Sequence, residues 1–248
     1  MMKKILLLIA LAVNSIAHAA DAEIDWHEVK INLSNQASLQ RGAKYFMNYC
    51  SGCHSLKYLR YSQMAKGLGL ITFDGSIAKD LLMNNLVFTK ATVYDPIEIA
   101  MPREDAEQWF GRMPPDLTLS AREKGANWIY TYLKSFYKDE SRPFGSNNRL
   151  VPDVSMPNIL APLQGEVIAL NPDQSNDPSH LKLALVEQGI MTQQQFDSML
   201  QDLVNFLVYA AEPNLLKRYT IGSVVIAFLI ILAVFAYLLK RVYWKKIH

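Results

Sequence analysis

The chain has 248 residues, half of them hydrophobic, and a formal net charge of +2. This length allows one or two domains with a substantial core, and both cysteines lie in one motif, which leaves none for a disulfide elsewhere. Eight of the basic residues lie near the two ends of the chain, namely Lys3, Lys4 and the six from Lys217 onward. The rest of the chain has 17 Lys and Arg residues and 23 Asp and Glu residues. The middle of the chain is therefore acidic, with a formal charge of −6.

Residues 1–20 have the pattern of a secretory signal peptide. Lys3 and Lys4 form a basic start, residues 5–13 an apolar run, and Ala17-His18-Ala19 a small-x-small cleavage site. An N-terminal membrane anchor is the alternative, but the apolar run is too short to span a bilayer. We expect cleavage after Ala19 or Ala20, which would place residues 21–216 in the periplasm of a bacterium.

A helix is predicted from Ser38 to Cys50. Ser38 is a good N-cap residue, and the apolar residues that follow recur along one helical face. Gly42, inside the helix, costs about 1 kcal/mol relative to alanine. It therefore indicates a close packing partner at that point.

The helix ends in Cys50-Ser51-Gly52-Cys53-His54, which has the C-x-x-C-H spacing of c-type haem attachment. Two thiols three positions apart on one turn reach the two vinyl groups of one porphyrin, and the next imidazole binds the iron. A zinc site would need a second ligand pair at metal spacing, which the sequence lacks. A thioredoxin-like dithiol expects a βαβ context and has no use for His54. The motif predicts one haem c, covalent through Cys50 and Cys53, with His54 as iron ligand.

The next part of the chain alternates irregular segments with short helical patterns. Residues 76–87 predict one short helix, whereas four prolines predict a loop over residues 94–119. Ser120 and Glu123 match a capping box, which predicts a helix over residues 120–137 with an aromatic face.

Residues 143–178 contain six prolines and are predicted to be irregular. A long loop of this kind inside a domain usually has a function. Thr192 and Gln195 match a second capping box, which begins the last helix of the domain over residues 192–211.

A transmembrane helix is predicted near the C-terminus, within residues 217–240. Tyr219 to Leu239 is 21 residues without a charge, about 31 Å as a helix, which matches the bilayer core. A buried core helix is the alternative, but basic and aromatic residues flank the span. The positive-inside rule places residues 241–248 in the cytoplasm.

A sixth iron ligand would decide what the haem does. An open site would suit a haem enzyme or a gas sensor, whereas a methionine ligand favours electron transfer and raises the potential. The candidates are Met64, Met83, Met101, Met113, Met156, Met191, Met199, His27 and His180. Met101, Met113 and Met156 each precede proline, which fixes the local backbone. Spacing alone favours Met113, which lies 59 residues beyond His54.

Residues 38–61, SLQRGAKYFMNYCSGCHSLKYLRY, resemble cytochrome c1, the haem subunit of the bacterial cytochrome bc1 complex (ubiquinol-cytochrome c reductase). The resemblance extends to Pro114-Pro115-Asp116-Leu117, Ala121-Arg122, Met156-Pro157-Asn158 and the run from Phe206 to Pro213 before a single tail anchor. These motifs span essentially the whole mature chain in the same order.

The resemblance implies an all-α, class I cytochrome c-like haem domain with long irregular insertions and one C-terminal transmembrane helix. It makes Met156, rather than Met113, the sixth ligand. It also places Pro114 and Pro115 near the haem edge and pairs Arg122 with a haem propionate. The partner of Gly42 would be the last helix of the haem domain.

The implied function is electron relay, with cytochrome b and a Rieske iron-sulfur protein as partners in the same complex and a periplasmic c-type cytochrome as acceptor. The chain alone would not be an enzyme, and we expect no nucleic-acid partner. Acidic residues are candidates for docking a basic acceptor: Glu104, Asp105, Glu107, Asp139 and Glu140. The alternatives are an anchored cytochrome that donates to a terminal oxidase, or a haem enzyme or sensor with an open iron site.

Overall fold

The computed structural model describes residues 26–170 and 181–245. The predicted signal peptide and the candidate ligand His180 lie outside the described residues. Helices dominate the described part, and the predicted fold class, a helical cytochrome c-like domain with one C-terminal apolar helix, is confirmed.

The helices are α1 (Gln36–Tyr45), α2 (Tyr61–Gly67), α3 (Lys79–Leu86), α4 (Arg103–Phe110), α5 (Ser120–Glu123), α6 (Ala126–Lys134), α7 (Ala161–Gln164), α8 (Gln193–Ala211) and α9 (Leu215–Trp244). A π-helical turn, Phe46–Cys50, continues α1 directly. The strands are β1 (Leu56–Arg60), β2 (Pro96–Ile97), β3 (Phe136–Lys138), β4 (Ser146–Asn148), β5 (Gly165–Ala169) and β6 (Leu183–Gln188). They form antiparallel pairs, β1 with β2, β3 with β4 and β5 with β6.

The core is built on the crossing of α1 and α8. Leu39 of α1 and Phe46 of the π-helical turn belong to one buried cluster with residues of α8, and the ring centroids of Phe46 and Phe206 lie 5.7 Å apart. A Cβ built on Gly42 would lie 2.7 Å from Phe206 Cβ and closer still to the carbonyl oxygen of Asp202. The close partner that Gly42 predicted is therefore confirmed, and it is α8.

A buried polar network fixes the register of this crossing. Ser38 Oγ donates to Asp202 Oδ1 at 2.6 Å, and Arg41 Nε donates to Asp202 Oδ2 at 2.6 Å. Asn205 Nδ2 donates to Ser38 Oγ and to the carbonyl of Asn32, each at 3.0 Å. Sliding one helix past the other would break all of these bonds, so the network specifies a single alignment.

The two predicted capping boxes have different outcomes. Thr192 caps α8 reciprocally with Gln195, which confirms the prediction. The box at Ser120 is wrong, because α5 begins after Leu119 without a side-chain cap. Gly125, at φ 90° and ψ 155°, then separates α5 from α6. That backbone region is almost exclusive to glycine, so the single helix predicted over residues 120–137 is two helices followed by β3.

Three further predictions need correction. The region over residues 143–178, predicted to be irregular, contains β4, α7 and β5 within its described part. Asn35, rather than Ser38, caps α1, since Asn35 Oδ1 accepts from the backbone N–H of Ser38 at 3.1 Å. The loop predicted over residues 94–119 contains β2 and α4, because Pro102 immediately precedes α4 instead of interrupting it. The short helix predicted within residues 76–87 is present as α3.

The helix α9 contains the predicted membrane span and extends beyond it at both ends. Its most apolar window has a mean hydropathy of 2.8, and none of that window is buried inside the protein. Thirty residues span about 45 Å as a helix, more than the hydrocarbon core requires. Its length and exposed apolar surface are those of a single-pass membrane anchor.

Candidate functional site

The π-helical turn places the C-x-x-C-H motif at the end of α1. Cys50 closes this turn, and its carbonyl accepts hydrogen bonds from the N–H groups of Cys53 at 3.0 Å and His54 at 2.8 Å. Neither cysteine forms a disulfide. Burial raises the pKa of Cys50 to about 12 and also raises the pKa of Cys53, so this site disfavours a charged sulfur. An uncharged thioether in the same place would meet no desolvation cost.

His54 is oriented by the backbone of Pro115. Its Nδ1 lies 2.8 Å from the Pro115 carbonyl oxygen, which can only accept, so Nδ1 carries the proton and Nε2 has the free lone pair. Burial lowers the pKa of His54, which favours the neutral ring. A neutral imidazole whose second nitrogen donates to a carbonyl is the usual arrangement of an iron-binding histidine.

The segment that carries Pro115 is bonded to the chain just after His54. Leu117 N donates to Ser55 O at 2.9 Å, and Lys57 N donates to Asp116 Oδ2 at 2.8 Å. Asp116 Oδ1 also accepts from Thr118 N at 2.9 Å. The predicted site residues Pro114 and Pro115 therefore lie beside His54. Asp116, which the sequence analysis quoted in the same motif but gave no role, holds them there.

Met156 contacts α6. Its Sδ atom lies 3.5 Å from the hydroxyl of Tyr132, which donates. Burial raises the pKa of Tyr132 to about 12, so this hydroxyl is a neutral donor. Tyr132 lies within residues 120–137, where the sequence predicts an aromatic helix face, but the sequence gave no sign of this contact.

The segment between β4 and Met156 is held by two buried asparagines. Asn148 Oδ1 accepts from Leu150 N at 2.9 Å and Val151 N at 3.2 Å. Asn147 Oδ1 accepts from Asp153 N at 2.9 Å, where the backbone has a positive φ of 60°. The irregular segment is therefore ordered by side-chain amides instead of by a helix or sheet.

Arg122 forms an ion pair with Glu212, at the end of α8, with 3.4 Å between Nη1 and Oε1. Glu212 also accepts from both terminal nitrogens of Arg218, at 3.0 and 2.8 Å. The described partner of Arg122 is thus the carboxylate of Glu212. The pairing of Arg122 with a haem propionate stays a prediction. Two other candidate ligands, Met64 and Met199, are buried in the hydrophobic core.

The described residues fit a covalent haem. Two thiols, a neutral imidazole and a thioether are the groups that attach and ligate haem c. Arg149 Nε, in the segment that leads to Met156, is buried without a hydrogen-bond partner, and a buried cationic donor of this kind suits an anionic propionate. No group of three or more His, Cys, Asp or Glu side chains among the described residues could hold a zinc ion.

Comparison with known proteins gives matches over most or all of the chain. The model of the Cytochrome C1 family matches residues 26–247. Cytochrome c1 of Allochromatium vinosum is 49% identical over 221 residues, 88% of each chain. A Nitrosomonas europaea protein named ammonia monooxygenase gamma subunit is 37% identical and covers 100% of this chain and 99% of its own. A chain of the solved structure "Hyperthermophilic respiratory Complex III" covers 100% of this chain and 98% of its own, with 16% identity and a TM-score of 0.45. Since the family model and a relative at 49% identity both span most of the sequence, this chain belongs to the cytochrome c1 family and carries one covalent haem c.

Proposed function

We propose that this chain relays single electrons within the cytochrome bc1 complex, from the Rieske iron-sulfur protein to a periplasmic c-type cytochrome, through a haem held by Cys50, Cys53, His54 and Met156. The observation that carries the proposal is the bond between His54 Nδ1 and Pro115 O, 2.8 Å long, which leaves Nε2 free one residue after the second thiol. Family membership supports the role of redox subunit in that complex.

The bound haem supplies a one-electron ferric/ferrous couple. The residues of this chain attach it, orient its ligands and adjust its potential, and they make or break no substrate bond. Pro115 holds the His54 ring in one orientation, and the Met156 thioether, as sixth ligand, would raise the haem potential above that of a bis-histidine site. The buried crossing of α1 and α8 keeps the attachment motif rigid.

The residues that flank the anchor support one orientation of the relay in the membrane. Lys240, Arg241 and Lys245 follow the apolar span, and Trp244 suits the interface. The positive-inside rule supports a cytoplasmic C-terminal end and hence a periplasmic haem domain. A protease added to spheroplasts should then degrade the haem domain, whereas in sealed inside-out vesicles it should remove only the C-terminal residues.

The carboxylates of α4 are the proposed docking site for a basic acceptor. Glu104 is exposed and Asp105 half-buried in its first turn, Glu107 follows and forms a surface ion pair with Arg103 at 2.8 Å, and Trp109 is 56% exposed beside them. Asp139 is less suited, because its carboxylate accepts hydrogen bonds from Ser141 and Asn147. Opposite charges accelerate encounter and salt screens them, so acceptor reduction should slow as ionic strength rises. A rate independent of salt would remove this part of the proposal.

The ligand assignment is tested by two alanine variants. Met156→Ala should abolish the methionine-to-iron charge-transfer band of the ferric protein, whereas Met113→Ala should retain it. A band that survives in Met156→Ala and disappears in Met113→Ala would reverse the assignment. Carbon monoxide binding to the unmodified ferrous protein would instead reveal an open site, as a haem enzyme or sensor requires.

Purification of the native complex tests the function itself. The chain should copurify with a dihaem cytochrome b and a Rieske protein. Copurification with a terminal oxidase or with an ammonia monooxygenase, in place of these two subunits, would contradict the proposal.

A further inference from the structure

Tyr132 and Met156 meet although they come from unlike parts of the chain. Tyr132 belongs to α6, and Met156 lies in the irregular segment after β4. The distance of 3.5 Å between the hydroxyl oxygen and Sδ is that of a hydrogen bond to sulfur.

The Tyr132 ring is held on two sides. Trp128 stacks on it, with ring centroids 5.0 Å apart and planes inclined by 9°, and Phe136 meets its edge at 5.2 Å and 71°. Such aromatic contacts restrict the ring to one rotamer and fix the direction of its hydroxyl.

One buried residue connects the backbones of both partners. Asn148 is fully buried, and its Nδ2 donates to the Tyr132 carbonyl at 2.8 Å. Its Oδ1 accepts from Leu150 and Val151, at the start of the segment that leads to Met156. The hydroxyl and the sulfur are therefore positioned by a shared structural element.

We propose that Tyr132 is a positioning residue for the relay, donating a hydrogen bond to the Met156 sulfur that orients the thioether and weakens its donation to the iron. This inference rests on the proposed ligation by Met156. A thioether sulfur has two lone pairs, so one can bind iron while the other accepts the hydroxyl proton. A hydrogen bond from the hydroxyl draws electron density from the sulfur, so the sulfur donates less to the iron. The ferric state needs this donation more than the ferrous state does, so it loses more stabilisation. Tyr132 thus shifts the couple toward the reduced state.

The test is Tyr132→Phe in the full-length, haem-loaded chain within its complex. The charge-transfer band should remain, and the reduction potential should fall. Only the difference in hydrogen-bond strength between the ferric and ferrous states enters the potential, so the fall should correspond to at most about a fivefold change in the ferric-to-ferrous ratio, the value for a whole net hydrogen bond of about 1 kcal/mol. The matched control is Tyr130→Phe, which removes a hydroxyl from the same helix beside Asp197 instead of Met156. It should leave the potential unchanged.

The outcomes separate this inference from the ligand assignment. In one outcome, Met156→Ala abolishes the charge-transfer band, but Tyr132→Phe leaves the reduction potential unchanged or shifts it no more than Tyr130→Phe does. This outcome refutes only the role of Tyr132. If Met156→Ala retains the band, both fail. If Tyr132→Phe does not assemble, NMR of the unmodified ferrous protein provides the test. The Tyr132 hydroxyl proton should exchange slowly and show a nuclear Overhauser contact to the Met156 methyl group. The absence of this contact would overturn the inference.

Discussion

The two proposed iron ligands are held by regions built in opposite ways. His54 follows α1, whose crossing with α8 is apolar, helical and closed by the network around Asp202. Met156 lies in an irregular segment that is positioned by Asn147 and Asn148, through bonds from side-chain amides to backbone. The crossing buries far more apolar surface, so it should set the global stability of the domain. The irregular segment should set the geometry of the methionine and open at lower free energy.

The largest effect should follow from Gly42→Val at the crossing. Any Cβ at this position would overlap the Asp202 carbonyl and Phe206 Cβ, so the two helices would have to separate. Overpacking of this kind should cost roughly 3 kcal/mol or more. Thermal unfolding followed by circular dichroism and by the methionine charge-transfer band should show both signals lost together, at a lower midpoint.

The control is Gly222→Ala, in α9 and far from the haem-attachment motif. A Cβ at Gly222 meets no atom within 4 Å, so the midpoint of the haem domain should stay close to that of the unmodified protein. Equal midpoints for Gly42→Val and the unmodified protein would show that the close approach of α1 and α8 does not set the stability.

A smaller and more local effect is expected for Asn148→Ala. The change leaves the Tyr132 carbonyl and two backbone N–H groups without their partner, which costs about 2 kcal/mol. Because these bonds hold the irregular segment and not the crossing, the charge-transfer band should disappear at a lower temperature than the helical signal.

Asn85→Ala provides the comparison for this variant. Asn85 is exposed, and its amide donates only to the carbonyl of Leu81 on its own helix, so both signals should keep their original midpoints. If the two signals stay coincident in Asn148→Ala, the irregular segment unfolds with the core and the contrast between the regions is wrong.

The two regions also differ in how much of each the sequence predicts. Gly42, the apolar period of α8 and the uncharged span within α9 follow helical rules, and the structure bears them out. Contacts such as Tyr132 with Met156 or Asp116 with Lys57 join irregular segments through single side chains. They have no period and no local signature, so the residues that orient both ligands could not be found from spacing. The attachment motif itself was found because its chemistry requires a fixed spacing.

The smallest expected effect on stability concerns the two sequence matches to the capping-box pattern, at Thr192 and Ser120. Thr192→Ala should destabilise the domain by about 1 kcal/mol, since Thr192 Oγ1 accepts from Gln195 N at 3.3 Å and Gln195 Oε1 accepts from Thr192 N at 2.9 Å. Ser120→Ala should leave the free energy of unfolding almost unchanged, because α5 has no side-chain cap. Denaturant titration of both variants measures the difference. Equal losses would mean that Ser120 caps a helix in solution and that the break at Gly125 does not override the local pattern.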